Sequence, residues 1–436
     1  MSENSSLLIK GGRIIDPSSG HDAFGDLLIE GGIISAIEKP GQIPDSRAKK
    51  VIPASGKWVL PGLIDAHVHL REPGMEYKET IASGTRAAVS GGFTSVACMA
   101  NTQPVNDTPY VTAFIRERAK QTAACRVFPI GAASKGLKGE EIAEIGGMIA
   151  EGARAISDDG MPIMNSYMMR KVMDYSKAFG VAVISHAEDS FLVGQGAINE
   201  SAYSNSLGLR GNPAAAEEIL VARDIALCRL TRCRLHFAHI TTELALEHIR
   251  RAKDAGLPVT AEASPHHLLL SEEAVVGYDT NFKMSPPLRG EKDVAALRKA
   301  LRDGSIDLIA TDHAPHGVIE KAVEFDQAAN GIIGLETAVA ATLKLVHEGA
   351  LPVMRWVESL TTRPAQLLGI PYGTLKVGSA ADVTLIDPDQ IWTILEKDIV
   401  SKSQNTPFLN QKFKGRVVAT ILDGKIAYAI EQEGDR

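Results

Sequence analysis

The chain has 436 residues, 44% hydrophobic and 23% charged, with a net charge of -7 at pH 7. That length suits one large domain with a smaller companion, and an acidic balance argues against nucleic acid, whose phosphates select basic surfaces. No apolar run is long enough to span a bilayer, and the polar start MSENSSLLIKGG lacks the charged and apolar regions of a signal peptide. A cytoplasmic protein with no membrane partner is expected.

The first sixty residues alternate as short strands between turn residues: SLLIKGGRIID, GDLLIEGGIISAIE and KKVIPASGKWVLPG. The end of the chain has the same texture in GTLKVGSAADVTLIDP and GRVVATILDGKIAYAI. Neither set buries a core alone, so the two are expected to pair into one small β-sandwich, from residues 1–58 and 368–436.

Between them, over 59–367, apolar runs alternate with helical stretches. The runs are WVLPGLIDAHVHL, FTSVACMAN, CRVFPIGAAS, GARAISDDG, GVAVISHAED, RLHFAHIT, LPVTAEASPHH and IDLIATDHAPH. Eight strands with crossover helices make a (β/α)8 barrel. A doubly wound sheet would alternate too, but no GxGxxG follows the first strand. The four cysteines, Cys98, Cys125, Cys228 and Cys233, form no CxxC pair and read as reduced thiols.

In such a barrel the active site lies at the C-terminal ends of the strands. Those ends carry His67 and His69, Asn101, the Asp158–Asp159 pair, His186, His239, His266 and His267, then Asp312, His313 and His316. His67 and His69, two apart, share one strand face and can reach one metal ion. With His186, His239, an aspartate from SDDG and Asp312, the ligands exceed the three of a single catalytic zinc. They suit two metals bridged by a carboxylate and a hydroxide. His236, three residues before His239, is expected to point the other way. His266 and His267 read as hydrogen-bond partners behind the site or as packing. Arg71, two residues past His69, offers a fork of donors for a substrate carboxylate; the alternative is an ion pair with Glu72.

The segments PGLIDAHVHLREPG, SDDG, ISHAED, FAHI, FKMSPPLR, ATDHAPH and GIIGLET together resemble the bacterial type I dihydroorotases of the amidohydrolase superfamily, along essentially the whole chain. The resemblance implies two Zn2+ per chain. His67 and His69 would bind the first and His186 and His239 the second, with Asp159 as the bridge where many relatives use a carboxylated lysine. Asp312 would touch the first metal and serve as general acid/base. His69, Arg71, Asn101, His316 and the backbone at Asn330 and Gly331 would contact substrate. So would Ser285, where the family usually has Asn. The implied reaction is the reversible cyclisation of N-carbamoyl-L-aspartate to (S)-dihydroorotate, the third step of UMP synthesis. The family also implies a homo-oligomer and aspartate transcarbamoylase as a partner. The competing readings are a hydantoinase or allantoinase, and a non-catalytic scaffold for the transcarbamoylase. The segment HGVIEKAVEFDQAANG is long enough to form a mobile rim over the site.

Overall fold

Every apolar run assigned to the barrel contains a parallel strand in the computed structural model: Leu63–Val68, Phe93–Cys98, Arg126–Pro129, Ala155–Ser157, Ala182–Ser185, Leu235–Phe237, Val259–Ala263 and Leu308–Ile309. Residues 6–430 are described; residues 1–5 and 431–436, the extremes of the two expected arms, lie outside the described residues. Neighbouring strands pair in order. A bridge between Gly131 and Ile156 joins the third strand to the fourth, and one between Val68 and His313 closes the barrel.

Period-two alternation sorts each strand's side chains. Val96, Cys98, Val183, Phe237 and Val259 pack outward under the helices. Ala97, Met99, Ala155, Ala182, Ile184, Leu308 and Ala310 form a separate interior cluster, which the last helix, Thr362–Leu368, closes with Leu367 and Leu368. Small interior residues suit the narrow space inside eight strands. The helices follow from local signals. Ile81–Ser90, for example, starts at Thr80, whose Oγ1 accepts from Ser83 N at 3.0 Å while the Ser83 hydroxyl answers the cap backbone.

The two arms share one sheet. Trp58–Pro61 pairs in parallel with Ser6–Asp16 and antiparallel with Val383–Thr393, then runs directly into the first barrel strand. Ile9, Ile14, Leu27 and Val59 of the first arm pack with Val383, Leu385 and Ile421 of the second. Gly31–Gly32 and Asp423–Gly424 turn their hairpins with positive φ at both residues, the requirement of a tight two-residue turn.

Between Val383–Thr393 and Lys412–Leu422 the chain leaves this sheet and crosses the barrel rim. There Glu336 Oε1 accepts from Val400 N and Ser401 N at 2.9 and 2.8 Å, and Ser403 Oγ donates to Lys78 O at 2.7 Å. The four cysteines are free and buried. No described helix is long and apolar enough to cross a membrane.

Candidate functional site

The interior face of the barrel delivers the site residues by continuing its own alternation. Asn101 lies two residues beyond Met99, Asp159 two beyond Ser157, His186 two beyond Ile184 and Asp312 two beyond Ala310. Two strands need more than alternation. A register shift between Asp65 and Val68 turns His67 and His69 inward, and His239 turns in through a φ of 29°. Asp312 (φ 50°) and Arg71 (φ 62°) also hold left-handed backbone. Strained residues of this kind concentrate at functional sites.

Asp159 lies between two histidine pairs. Its Oδ2 is 3.4 Å from His67 Nε2 and 3.5 Å from His69 Nε2; its Oδ1 is 3.6 Å from both His186 Nδ1 and His239 Nε2. Asp312 Oδ1 stands 3.1 Å from His69 Nε2 and 3.4 Å from His67 Nε2. Asp158, the other aspartate of SDDG, faces away. It accepts from Ala133 N, Ser134 N and the Ser134 hydroxyl.

Three of the four histidines around Asp159, namely His67, His69 and His186, are oriented from behind. Glu262 Oε1 accepts from His67 Nδ1 at 2.7 Å, and Glu262 Oε2 accepts from His236 Nε2 at 3.0 Å. Asn101 Oδ1 accepts from His69 Nδ1 at 2.8 Å. Glu188 Oε2 faces His186 Nε2 at 3.3 Å and is itself held by the Ser285 hydroxyl at 2.6 Å, while Glu188 Oε1 takes Asn212 Nδ2 at 2.6 Å. Such partners fix which ring nitrogen keeps a free lone pair.

Sequence reasoning missed Glu262 and Glu188. The signal for Glu262 was a carboxylate inside the apolar strand VTAEA, and for Glu188 one just past a strand end. The expectation for His236 is corrected: it reaches the same Glu262 that orients His67, because the positive φ of His239 breaks the alternation that set the two histidines on opposite faces. His267 donates Nε2–H to Pro286 O at 2.9 Å, beside Ser285. His313 turns away, accepting from Gly334 N.

The charge balance calls for a cation. Burial opposes a charged His67, yet Asp159, Asp312 and Glu262 hold its pKa well above the ordinary value. Burial likewise opposes ionised Asp159 and Asp312, and the imidazoles outweigh it, keeping both carboxyls well below the usual range. Buried His67 Nε2 and Asp159 Oδ1 have no hydrogen-bond partner among the described residues. Ligand atoms of His67, Asp159 and His239, and of His67, His69 and Asp312, lie within 4.8 Å of one another in each group. Imidazole nitrogens joined by carboxylate oxygens, a donor set that borderline-soft zinc accepts, fit that metal.

A cavity of about 230 Å³ opens beside this cluster. His69, Arg71, Asn101, Ser285, His316, Asn330 and Gly331 all line it. Arg71 is buried and has no carboxylate partner among the described residues. Its Nε donates to Pro315 O at 3.2 Å and its Nη2 lies 3.4 Å from His316 Nε2. Burial lowers its pKa to about 10. The alternative pairing fails because Glu72 is taken by Arg118 at 2.6 Å and by Ile81 N at 2.8 Å. Wedged between Arg71 and Lys78, the partly buried His316 has its pKa pushed down to about 3 by burial first and then by those cations and Lys321.

The segment expected to be a mobile rim is tied down. Glu320 takes Lys78 Nζ at 2.7 Å and Gly317 N at 2.8 Å. Lys321 Nζ donates to Thr280 O and Ala329 O, both at 2.8 Å, and Lys283 Nζ donates back to Asp326 O at 2.8 Å.

Residues 58–427 match the amidohydrolase family. The chain is 51% identical to a dihydroorotase of Geobacter metallireducens over 97% of this chain and 99% of that one. It is 50% identical to a dihydroorotase of Anaeromyxobacter dehalogenans over 99% of both chains. Among solved structures, it resembles an L-hydantoinase (dihydropyrimidinase) from Arthrobacter aurescens, with TM-score 0.87, 25% identity, and 98% of this chain and 97% of that one covered. A D-hydantoinase from a Thermus species gives TM-score 0.84 at 28% identity, over 98% and 97%. The chain therefore belongs to the amidohydrolase family, a family of metal-dependent hydrolases, and within it to the dihydroorotases.

Proposed function

We propose that this chain catalyses the reversible cyclisation of N-carbamoyl-L-aspartate to (S)-dihydroorotate and water, using two zinc ions. The observation that carries the reading is Arg71: a buried guanidinium without a carboxylate partner among the described residues, in the same cavity as Asp159 and Asp312. A buried charge of this kind is stabilised by an anionic ligand, and both partners of the reaction are carboxylates. A neutral hydantoin would leave the guanidinium unpaired, and the position carboxylated as lysine in many relatives is here an aspartate.

In this reading His67, His69 and Asp312 hold one ion and His186 and His239 the other, with Asp159 shared. Metal bound there supplies Lewis acidity, polarising the scissile carbonyl and making water a better nucleophile at neutral pH. Arg71, with Asn101 and His316, fixes the substrate carboxylate and so the ring's orientation. The Asp312 carboxylate, held ionised by His67 and His69, takes the proton of the attacking water and delivers it to the ring nitrogen as the C–N bond breaks. In ring closure it removes the proton from the ureido nitrogen. Asn330 and Gly331 line the same cavity.

Turnover of dihydroorotate, hydantoin and allantoin by one purified, metal-analysed sample tests this reading. Dihydroorotate should be the preferred substrate by orders of magnitude in kcat/KM; preference for hydantoin or allantoin would overturn it. The same reading carries a homo-oligomer and aspartate transcarbamoylase as a partner, tested by light scattering of the chain alone and mixed with the transcarbamoylase.

A further inference from the structure

Asn405 belongs to the C-terminal arm, yet its side chain is buried beneath the barrel rim. Its Oδ1 accepts from His316 N at 3.1 Å, and its Nδ2 donates to Ala314 O and Gly331 O, both at 3.0 Å. The amide orientation is unambiguous, because an N–H can only face the oxygen and two carbonyls can only face the NH2 group. Asn405 O also accepts from Ile333 N at 2.9 Å. One residue thus clamps both loops that follow the eighth strand, immediately behind three groups that line the cavity: Ala314, His316 and Gly331.

The clamped backbone has little slack. Gly331 has φ +126°, and a Cβ there would meet Ala314 Cβ at 2.6 Å and His316 Nε2 at 3.4 Å. The spacing between the 314–316 turn and Gly331 therefore sets the width of the cavity wall, and the two amide hydrogens of Asn405 hold that spacing across the gap. The segment bearing Asn405 is itself anchored away from the site, through Glu336, Lys78 and the Ser401 hydroxyl on Glu79.

We infer that Asn405 is a positioning residue for substrate binding, through which the C-terminal arm sets the placement of His316 and Gly331. It touches neither substrate nor metal ligands. The inference rests on the proposed function, in that these two residues are taken to contact the substrate of that reaction. Losing a wall contact made equally in ground and transition states raises KM and leaves kcat. A merely structural residue would behave otherwise, lowering the amount of active enzyme and hence kcat at unchanged KM.

The test is steady-state kinetics of dihydroorotate hydrolysis by the full-length, metal-loaded enzyme, with metal content measured on the same samples. Asn405→Ala should raise KM by about tenfold or more, with kcat within about threefold of wild type and metal content unchanged. Asn405→Ser, which keeps a hydroxyl in the space, should show the same split to a smaller degree and remains informative if the alanine variant does not fold. Unchanged KM in the folded variants, or a fall in kcat alone, would overturn the inference. Failure of the wild type to turn over dihydroorotate would instead overturn the function on which it rests.

Discussion

Glu262 holds His67 through a 2.7 Å hydrogen bond to Nδ1, leaving Nε2 of that ring toward Asp159. Its second oxygen is held by His236. Glu262→Ala should free the His67 ring to rotate and release its tautomer. Metal affinity is expected to fall by about 10–100-fold, the usual effect of losing such a partner, as read by competition with a chelator. Affinity within twofold of wild type would remove Glu262 from the metal site.

Two zinc equivalents per chain are expected by elemental analysis of protein purified without chelators. His186→Ala or His239→Ala should lose one equivalent and most turnover. Stripping the metal leaves Asp159, Asp312 and Glu262 buried around His67 with no added cation, so the apo protein should melt below the loaded one. One equivalent with full activity would refute the two-ion reading.

Arg71→Lys keeps the charge but loses the planar fork. We expect kcat/KM for dihydroorotate to drop by the equivalent of about 2–4 kcal/mol, the scale for disturbing a buried, hydrogen-bonded charge pair. An unchanged kcat/KM would show that another group binds the carboxylate.

Asp312→Asn preserves size but cannot carry the proton. Metal content should largely survive, since five other ligands remain, while turnover falls by at least about 10²–10⁴-fold, the range for a positioned acid/base. Turnover within a few-fold of wild type would assign the proton transfer elsewhere.

His316 carries a pH signature. Its pKa is about 3 in the folded chain, lowered by burial and by Arg71, Lys78 and Lys321 against the opposing Glu320, from the ordinary 6.5. The unfolded chain therefore binds the extra proton between those values, so this residue makes stability rise with pH across that window and fall as acid is added. His316→Gln should flatten the slope of unfolding free energy between roughly pH 6.5 and 5, measured by denaturant titration. An identical slope would mean that His316 does not titrate in this window.

How much of this was legible in the sequence divides along one line. The eight strands, the β texture of each arm, the inward His186 and the strand-end positions of His67, His69, His239 and Arg71 could be read from local pattern, because strand alternation and strand-end position are properties of neighbouring residues. Even Asp312 falls in place by counting two beyond the interior Ala310. What alternation could not decide was the partner of each buried polar group. Glu262 meets His67 across 195 residues of chain, and Asn405 meets His316 across 89. Whether Asp158 or Asp159 faces the histidines depended on Ser134 and two backbone amides of the neighbouring loop capturing the first. His236 was misplaced by the pattern because the backbone at His239 takes a positive φ. Burial forces each charged or polar group to find a partner, but barrel closure and the crossing of the C-terminal arm determine which one is within reach. Those pairings belong to the tertiary structure alone.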